Sequence, residues 1–449
     1  MSDLILPPAL ALLLLGWVQC QGRRTLTAVA VASGALGQRH ISVFHRFFSR
    51  ASWTLDALGH VVFLLALRWL PAAQPLVVFG DDTLARKGGK CIALASMHHD
   101  PLLSSTRKPF ASFGHVWVVL ALWVPLPFGS GRGFALPVLF RLYVGAKRGG
   151  EQYRAGQRQR RVGPRLRAAR RAHVQQRPVT KLEWLREMVG LLAQWADERR
   201  VYVVVDSAYA GRTMLEDRPA NVQVISRLRW DAALYAPPPP RRPGQKGRPR
   251  HRGDRLPTLT QRVARRRRWT TLPLVLYGRA VTPRTFTLDA MWYGALRSQL
   301  IRIVVVRDPS GRRRDEAFFC TDLDCDAAFI LATYARRWTL EVTFHDAKQH
   351  LGFGQAQNQT PLAVGRTAPF VGLVYSLVLL WAAAYHQQGG TLTWIARPWY
   401  RTKTALAFPD LLTALRQELW RARFSAASTP ARRLQNAAPT PHHAQPLAA

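Results

Sequence analysis

Three acidic positions in this chain have the settings that metal-assisted phosphodiester chemistry needs. Two apolar runs end in aspartates: Leu76-Val77-Val78-Phe79 leads to Asp81-Asp82, and Val201-Tyr202-Val203-Val204-Val205 leads to Asp206. The third is Glu341, which follows Tyr334 and Arg337 and precedes Lys348. At about 100° per helical residue, positions 334, 337, 341 and 348 fall within roughly 60° of one another, so a single ridge would carry a phenol, a carboxylate and two cations. His345 falls near that stripe and Asp346 far from it. Carboxylates at two strand ends, joined by one from a helix, can hold two divalent cations, which activate the attacking oxygen and stabilise the leaving one in an in-line displacement. Mg²⁺ is the expected ion, with Mn²⁺ as the alternative and two ions per site; it takes oxygen ligands and keeps waters, so a few carboxylates suffice. Taken alone, Arg337 and Glu341 also read as a surface i,i+4 ion pair. What favours chemistry is the set of three carboxylates in a strongly basic chain.

The elements that must position these residues are partly legible. Strands are expected at Leu76 to Phe79, Ile92 to Met97 and Val116 to Val124, bounded by turn residues. A helix from about Lys181 to Glu198 precedes the valine-rich strand that ends at Asp206, and another helix starts at Asp326. Further strands are expected around Leu272 to Tyr277 and Ile301 to Val306. Residues up to 70 read as helical, with Leu10, Leu14, Trp17 and Val18 on one face and Val62, Leu65 and Trp69 on another. Phe44, Phe47 and Phe48, set among Arg46 and Arg50, suit either DNA contact or a helical core. The expected organisation is a helical region over 1–70 that contacts DNA, then a first catalytic part over 71–225 containing a basic connection at 147–178. An inserted, strand-rich basic subdomain follows over 226–320. A second catalytic part over 321–400 bears the glutamate helix, and a polar, partly disordered region occupies 401–449.

Charge narrows the partner. The 449 residues hold 64 Lys and Arg against 26 Asp and Glu, a net +38, which points to a polyanion, with nucleic acid ahead of an anionic membrane. Hydrophobic residues make up 48%, enough for a real core. Cys20, Cys91, Cys320 and Cys325 form neither a CxxC nor a disulfide framework, which fits a reducing cytosol and argues against structural zinc. The apolar stretch from Ala9 to Cys20 is too short to span a bilayer and lacks a basic leader. That from Phe370 to Tyr385 has the length of a core helix. Both are expected to be buried in protein, with no membrane partner.

Tyr334-x2-Arg337-x3-Glu341-x6-Lys348 matches the Y-R-E-K signature of insertion-sequence DDE transposases at every spacing. Val203 to Gly211 resembles their second-aspartate motif, and Phe79-Gly80-Asp81-Asp82-Thr83-Leu84 resembles the first. The separations, 124 residues from Asp82 to Asp206 and 135 more to Glu341, also resemble that family. The resemblance covers roughly residues 40 to 390. It implies an α/β fold with an RNase H-like catalytic core, a mixed sheet flanked by helices, with an inserted strand-rich subdomain between the second aspartate and the glutamate. It implies Asp82, Asp206 and Glu341 as catalytic metal ligands, with Asp81 as the alternative to Asp82. Asp82 is favoured because Thr83 then aligns with the family's Asp-Thr. Tyr334, Arg337 and Lys348 would hold DNA phosphates. The implied activity is cut-and-paste transposition: water nicks DNA, and the freed 3′-hydroxyl attacks, often through a hairpin. The implied partners are double-stranded DNA, as terminal inverted repeats and target, and a second copy of the chain in a homodimeric synaptic complex in the bacterial cytosol or nucleoid. An aromatic from the insertion can stack on a flipped base, and Trp230, Trp269 and Trp292 are candidates that no motif separates. The alternative reading is a catalytically inactive DNA-binding protein derived from such an enzyme. No helix-turn-helix signature marks the part that recognises DNA ends.

Overall fold

Valine-rich and β-branched runs decide where the central sheet forms. The computed structural model describes residues 8–37, 39–89, 92–129, 132–145, 179–241, 246–394, 396, 398–399 and 402–427. Twelve strands are found among them: β1 (Leu76–Arg86), β2 (Ser96–His99), β3 (Ala111–Pro125), β4 (Gly133–Tyr143), β5 (Val201–Val205), β6 (Val222–Arg227), β7 (Thr270–Thr271), β8 (Leu274–Leu276), β9 (Arg279–Val281), β10 (Arg284–Met291), β11 (Leu300–Arg307) and β12 (Glu316–Cys320). Ten of them make one mixed sheet, in the order β2-β3-β1-β5-β6-β12-β11-β10-β7, with β4 paired to β3; β8 and β9 form a separate hairpin. β5 runs parallel to both β1 and β6. All five of its residues are buried, as a central parallel strand with both faces covered requires.

Twelve helices accompany the sheet among the described residues: α1 (Pro8–Gln19), α2 (Leu26–Ala32), α3 (Ser42–Ser49), α4 (Leu55–Leu67), α5 (Lys181–Trp195), α6 (Arg212–Leu215), α7 (Leu259–Arg265), α8 (Tyr293–Leu296), α9 (Ala327–Arg336), α10 (Trp338–Leu351), α11 (Pro361–Gln387) and α12 (Phe408–Ala427). Their starts follow local chemistry. A reciprocal cap between Thr180 and Glu183 opens α5, and the Asp326 carboxylate accepts from the Phe329 amide to open α9. Gly352, at φ 70°, closes α10 in the left-handed conformation that glycine adopts without strain. Alternation along β1 divides the core in two. Leu76 and Val78 join the large cluster with α1, α3, α4, α5 and α11, while Val77 and Phe79 join a smaller one with α9 and Leu340 of α10.

The structure decides several of these expectations. The helical N-terminal region is present, but Phe44, Phe47 and Phe48 are buried; Phe47 and Phe48 meet Phe370 edge-on, Phe48 meets Trp17 edge-on, and Phe47 stacks on Trp53. These rings serve the core and are closed to DNA. The strand-rich insertion is not set apart: β12 pairs with β6, so β10, β11 and β12 extend the sheet that carries β1 and β5. The reason is that β6 would otherwise expose an unpaired edge. The C-terminal region contains α12, and the basic connection at 147–178 lies outside the described residues. The helix containing Phe370 to Tyr385 is a core element. α11 is long and apolar enough to cross a membrane, yet 83% of its most apolar stretch is buried inside the fold.

The first and last described helices are tied together. The Trp17 indole donates to the Leu351 carbonyl at 3.0 Å, and the Arg416 guanidinium of α12 donates to the carbonyls of Val18 and Cys20. Gly59 lets α4 lie directly on β4, because a Cβ there would run into the Val138 carbonyl oxygen. Gly59→Val is therefore expected to destabilise the fold by about 1–3 kcal/mol through overpacking. Gly190→Ala, in α5 where a Cβ meets open space, is expected to be neutral or stabilising by up to about 1 kcal/mol. Thermal or urea unfolding of the two variants beside the parent checks both.

Candidate active site

The two aspartates at 81 and 82 serve opposite faces of the sheet, because successive side chains on a strand alternate. Asp81 continues the row of Val77 and Phe79. Its Oδ2 accepts from the Arg337 Nη1 at 2.8 Å, and the Arg337 Nη2 donates to Glu341 Oε1 at 2.9 Å. Asp82 continues the row of Leu76 and Val78 toward α5. Its Oδ1 accepts from the Tyr209 hydroxyl at 2.6 Å and its Oδ2 from Lys181 Nζ at 2.8 Å. On β5, Tyr202 and Val204 face the Asp81 side, and Asp206 follows them in the same alternation. Asp206 Oδ1 accepts from the Ser207 amide at 2.6 Å and from the Ser207 hydroxyl at 3.3 Å.

Asp81, Asp206, Tyr334, Arg337 and Glu341 thus gather on one side of the sheet. Lys348 does not join them closely; it sits further along α10, where burial and the Arg86 charge push its ammonium down to about 8, against the pull of Asp100. The single ridge expected from Tyr334 to Lys348 is broken. α9 ends and α10 begins at Arg337, where the Arg337 amide bonds to Tyr334 O and the Leu340 amide to Arg337 O. These are tightened three-residue turns. The Thr339 hydroxyl takes the Arg336 carbonyl, and the Arg337 side chain is drawn to two carboxylates, which together account for the joint. Tyr334 is left on α9, its ring packed on Phe318 at 4.8 Å, with the Arg337 guanidinium 5.7 Å from its centroid.

Burial raises the Asp81 carboxyl to about 6; Arg337 and the Asp82 amide pull it down, and the charges of Asp82 and Asp206 add to the rise. Burial also opposes the Arg337 charge, but Asp81, Tyr334, Glu341 and Asp206 outweigh it and raise its pKa. Burial, then Asp82, pushes the Tyr209 phenol far up, so it remains a donor. The region therefore holds more negative charge than it neutralises, which suits a hard divalent cation by donor chemistry. Among the described residues no three ligating side chains converge on one point, and the Arg337 guanidinium bridges two of the carboxylates. The Arg337 Nε is itself buried without a partner.

Sequence reasoning missed Lys181 and the role of Tyr209, although the Asp206-x2-Tyr209 spacing placed that phenol one turn from a strand end. It also missed Tyr277. This residue sits at φ 53° in the tight β8–β9 turn and is exposed, and β8 packs against α9, so the hairpin lies beside the helix that carries Tyr334. The three tryptophans considered for base stacking are packed against the core: Trp230 donates to Thr260, Trp269 meets Phe286, and Trp292 meets Phe319.

Residues 8–284 match the family model described as a DDE superfamily endonuclease, which is more than half of the chain. The chain belongs to that family. The match ends before α9, so the place of Glu341 in the site rests on its geometry. No curated protein matches. A cryo-EM structure of the piggyBac transposase synaptic complex with hairpin DNA is similar at 11% identity, covering 96% of this chain and 75% of that one, with a TM-score of 0.38. That likeness is too loose to carry an argument.

Tyr209→Phe is expected to cost about 1–2 kcal/mol, because it leaves Asp82 with Lys181 as its remaining side-chain donor. An unchanged unfolding midpoint would show that the phenol does not hold β1 to the turn after β5.

Proposed function

We propose that this chain is a DNA transposase that cleaves and joins strands at the ends of an insertion sequence, on an RNase H-like core. The observation that carries the reading is that Asp81, Asp206 and Glu341, from two neighbouring parallel strands and a helix, face one side of the sheet around one arginine. Membership of an endonuclease family supports it. Asp81, rather than Asp82, is assigned as the first metal ligand, because it shares a face with Glu341. Two Mg²⁺ or Mn²⁺ ions bound by these carboxylates would activate the attacking oxygen and stabilise the leaving one.

The chain's own residues do the remainder. Tyr334 and Arg337 line the approach and orient a phosphate; Arg337, with an unused buried Nε, has donor capacity left for a phosphate oxygen. Lys348 and the basic surface draw in the polyanion. In the first step a water oxygen bonds to phosphorus and the P–O3′ bond breaks. In the second the freed 3′-hydroxyl attacks another phosphodiester and expels that phosphodiester's own 3′-oxygen, so one hydrolysis followed by one ester exchange moves the DNA segment. Asp82 is a positioning residue that keeps β1 in place through Tyr209 and Lys181. The DNA partner is double-stranded, and two copies of the chain bring the two ends together.

A non-catalytic DNA-binding role is the second reading, and it draws on the bridging of Asp81 and Glu341 by Arg337. One assay separates the two. Purified protein is incubated with Mg²⁺ or Mn²⁺ and duplexes carrying the DNA that flanks the gene. Cleavage is expected, with a loss of about 10³-fold or more in Asp81→Asn, Asp206→Asn and Glu341→Gln, and with residual activity in Asp82→Asn. Cleavage that survives in Asp206→Asn and Glu341→Gln would sink the site. Salt-sensitive binding without cleavage by the parent would favour the second reading.

A further inference from the structure

Beyond Asp81, β1 runs on for five residues to Arg86, about 17 Å at the rise of an extended chain. There it meets a cleft of about 610 Å³ lined by Arg23, Arg86, Lys87, Gln355, Gln357 and Gln359. The segment that follows α10 supplies the three glutamines at alternate positions. All three glutamines line the cleft, and Asn358 lines a neighbouring hollow with Ala85, His115 and Trp117. The segment is tied down at two points. Lys87 Nζ donates to the carbonyls of Gly354 and Ala356, and Gln355 Oε1 accepts from the Arg24 amide at 3.0 Å. Gln355 is thereby used as an anchor, whereas Gln357 and Gln359 are exposed.

The surrounding charge is positive. Burial, then the Arg23 charge, pushes the Lys87 ammonium down to about 8. Asp100 is the carboxylate paired here, and it is fully engaged by Arg86 and Ser112. Arg23 is exposed and no carboxylate is paired with it among the described residues.

We infer that this cleft reads DNA sequence: one strand's backbone lies along Arg23 and Arg86, and the amides of Gln357 and Gln359 bond to base edges beside it. The inference rests on the transposase reading and names the specificity surface of the same DNA partner. A primary amide presents a donor and an acceptor side by side, which matches the N6 and N7 pair of adenine in the major groove. Holding the segment at both ties removes much of the ordering cost that exposed loops meet on binding. The 17 Å offset corresponds to about five base steps from the cleaved phosphate.

The test selects duplexes from a randomised library with the full chain, beside Gln357→Ala/Gln359→Ala and Arg23→Ala. The parent should enrich a motif. The double variant should lose about tenfold preference at one or two adjacent positions near five base pairs from the cleavage point, with affinity for unselected duplex changed less than about twofold. Arg23→Ala should weaken selected and unselected duplexes alike and lower the salt slope by about one. A double variant that enriches the parent's motif at the parent's strength overturns the inference, as does a parent that enriches nothing. Mg²⁺-dependent cleavage by the parent is measured in parallel. Cleavage with an unaltered motif in the double variant overturns this inference alone, whereas a parent that neither binds nor cleaves any duplex overturns the transposase reading with it. Unfolding midpoints equal to the parent's exclude loss of fold as the cause of a changed motif.

Discussion

A single guanidinium, held between Asp81 and Glu341, organises this molecule's site. It is mostly buried, and two partly buried carboxylates would repel without a cation between them. Its pull fixes the joint between α9 and α10, and that joint in turn sets Tyr334 and Glu341 on separate helices that converge on the end of β1. The neighbouring pair, Asp82 with Lys181 and Tyr209, does the equivalent on the opposite face of the strand. Two adjacent aspartates therefore face opposite sides of the strand, one toward Arg337 and the other toward Lys181 and Tyr209.

The sheet explains why those two sets of contacts do not interfere. β1 is paired on both sides, to β3 and β5, so its backbone position is fixed by two ladders before any side chain contributes. β5 pairs with β1 up to Val205 and Gly80, so Asp206, one residue past its end, lies beside Asp81. The strands of the insertion enlarge this platform through β6 and β12, and the β8–β9 hairpin returns from it to pack on α9. Rigid strands on one side and a hairpin tip on the other give the site one fixed wall and one exposed edge.

Much of this was legible in the residues. The valine run into Asp206, the Asp326 cap and the spacing from Tyr334 to Lys348 located the second aspartate, the glutamate helices and the arginine that joins them. The choice between Asp81 and Asp82 was not legible, because alternation shows that they diverge but not which face α9 and α10 will cover. The break at Arg337 was hidden for a related reason: helical periodicity carries no trace of a side chain pulled from below. The membership of β10 and β12 in the main sheet depended on a pairing with β6 across some ninety residues, a long-range contact that local pattern does not encode. Phe44, Phe47 and Phe48 illustrate the converse, since basic neighbours made a core triplet resemble a surface for nucleic acid.

The tie between α1 and α12 sets an order on assembly. Arg416 donates to a carbonyl 398 residues earlier in the chain, and Trp17 to one 334 residues later. A growing polypeptide leaving the ribosome can lay α1 on α2 and α3 early, but Leu351, Phe370 and Arg416, which close over Trp17 and the end of α1, arrive only late in synthesis. Completion of the core is thus a late event, and a copy of the gene interrupted before α12 would lose a wall of the molecule and not a mere appendage.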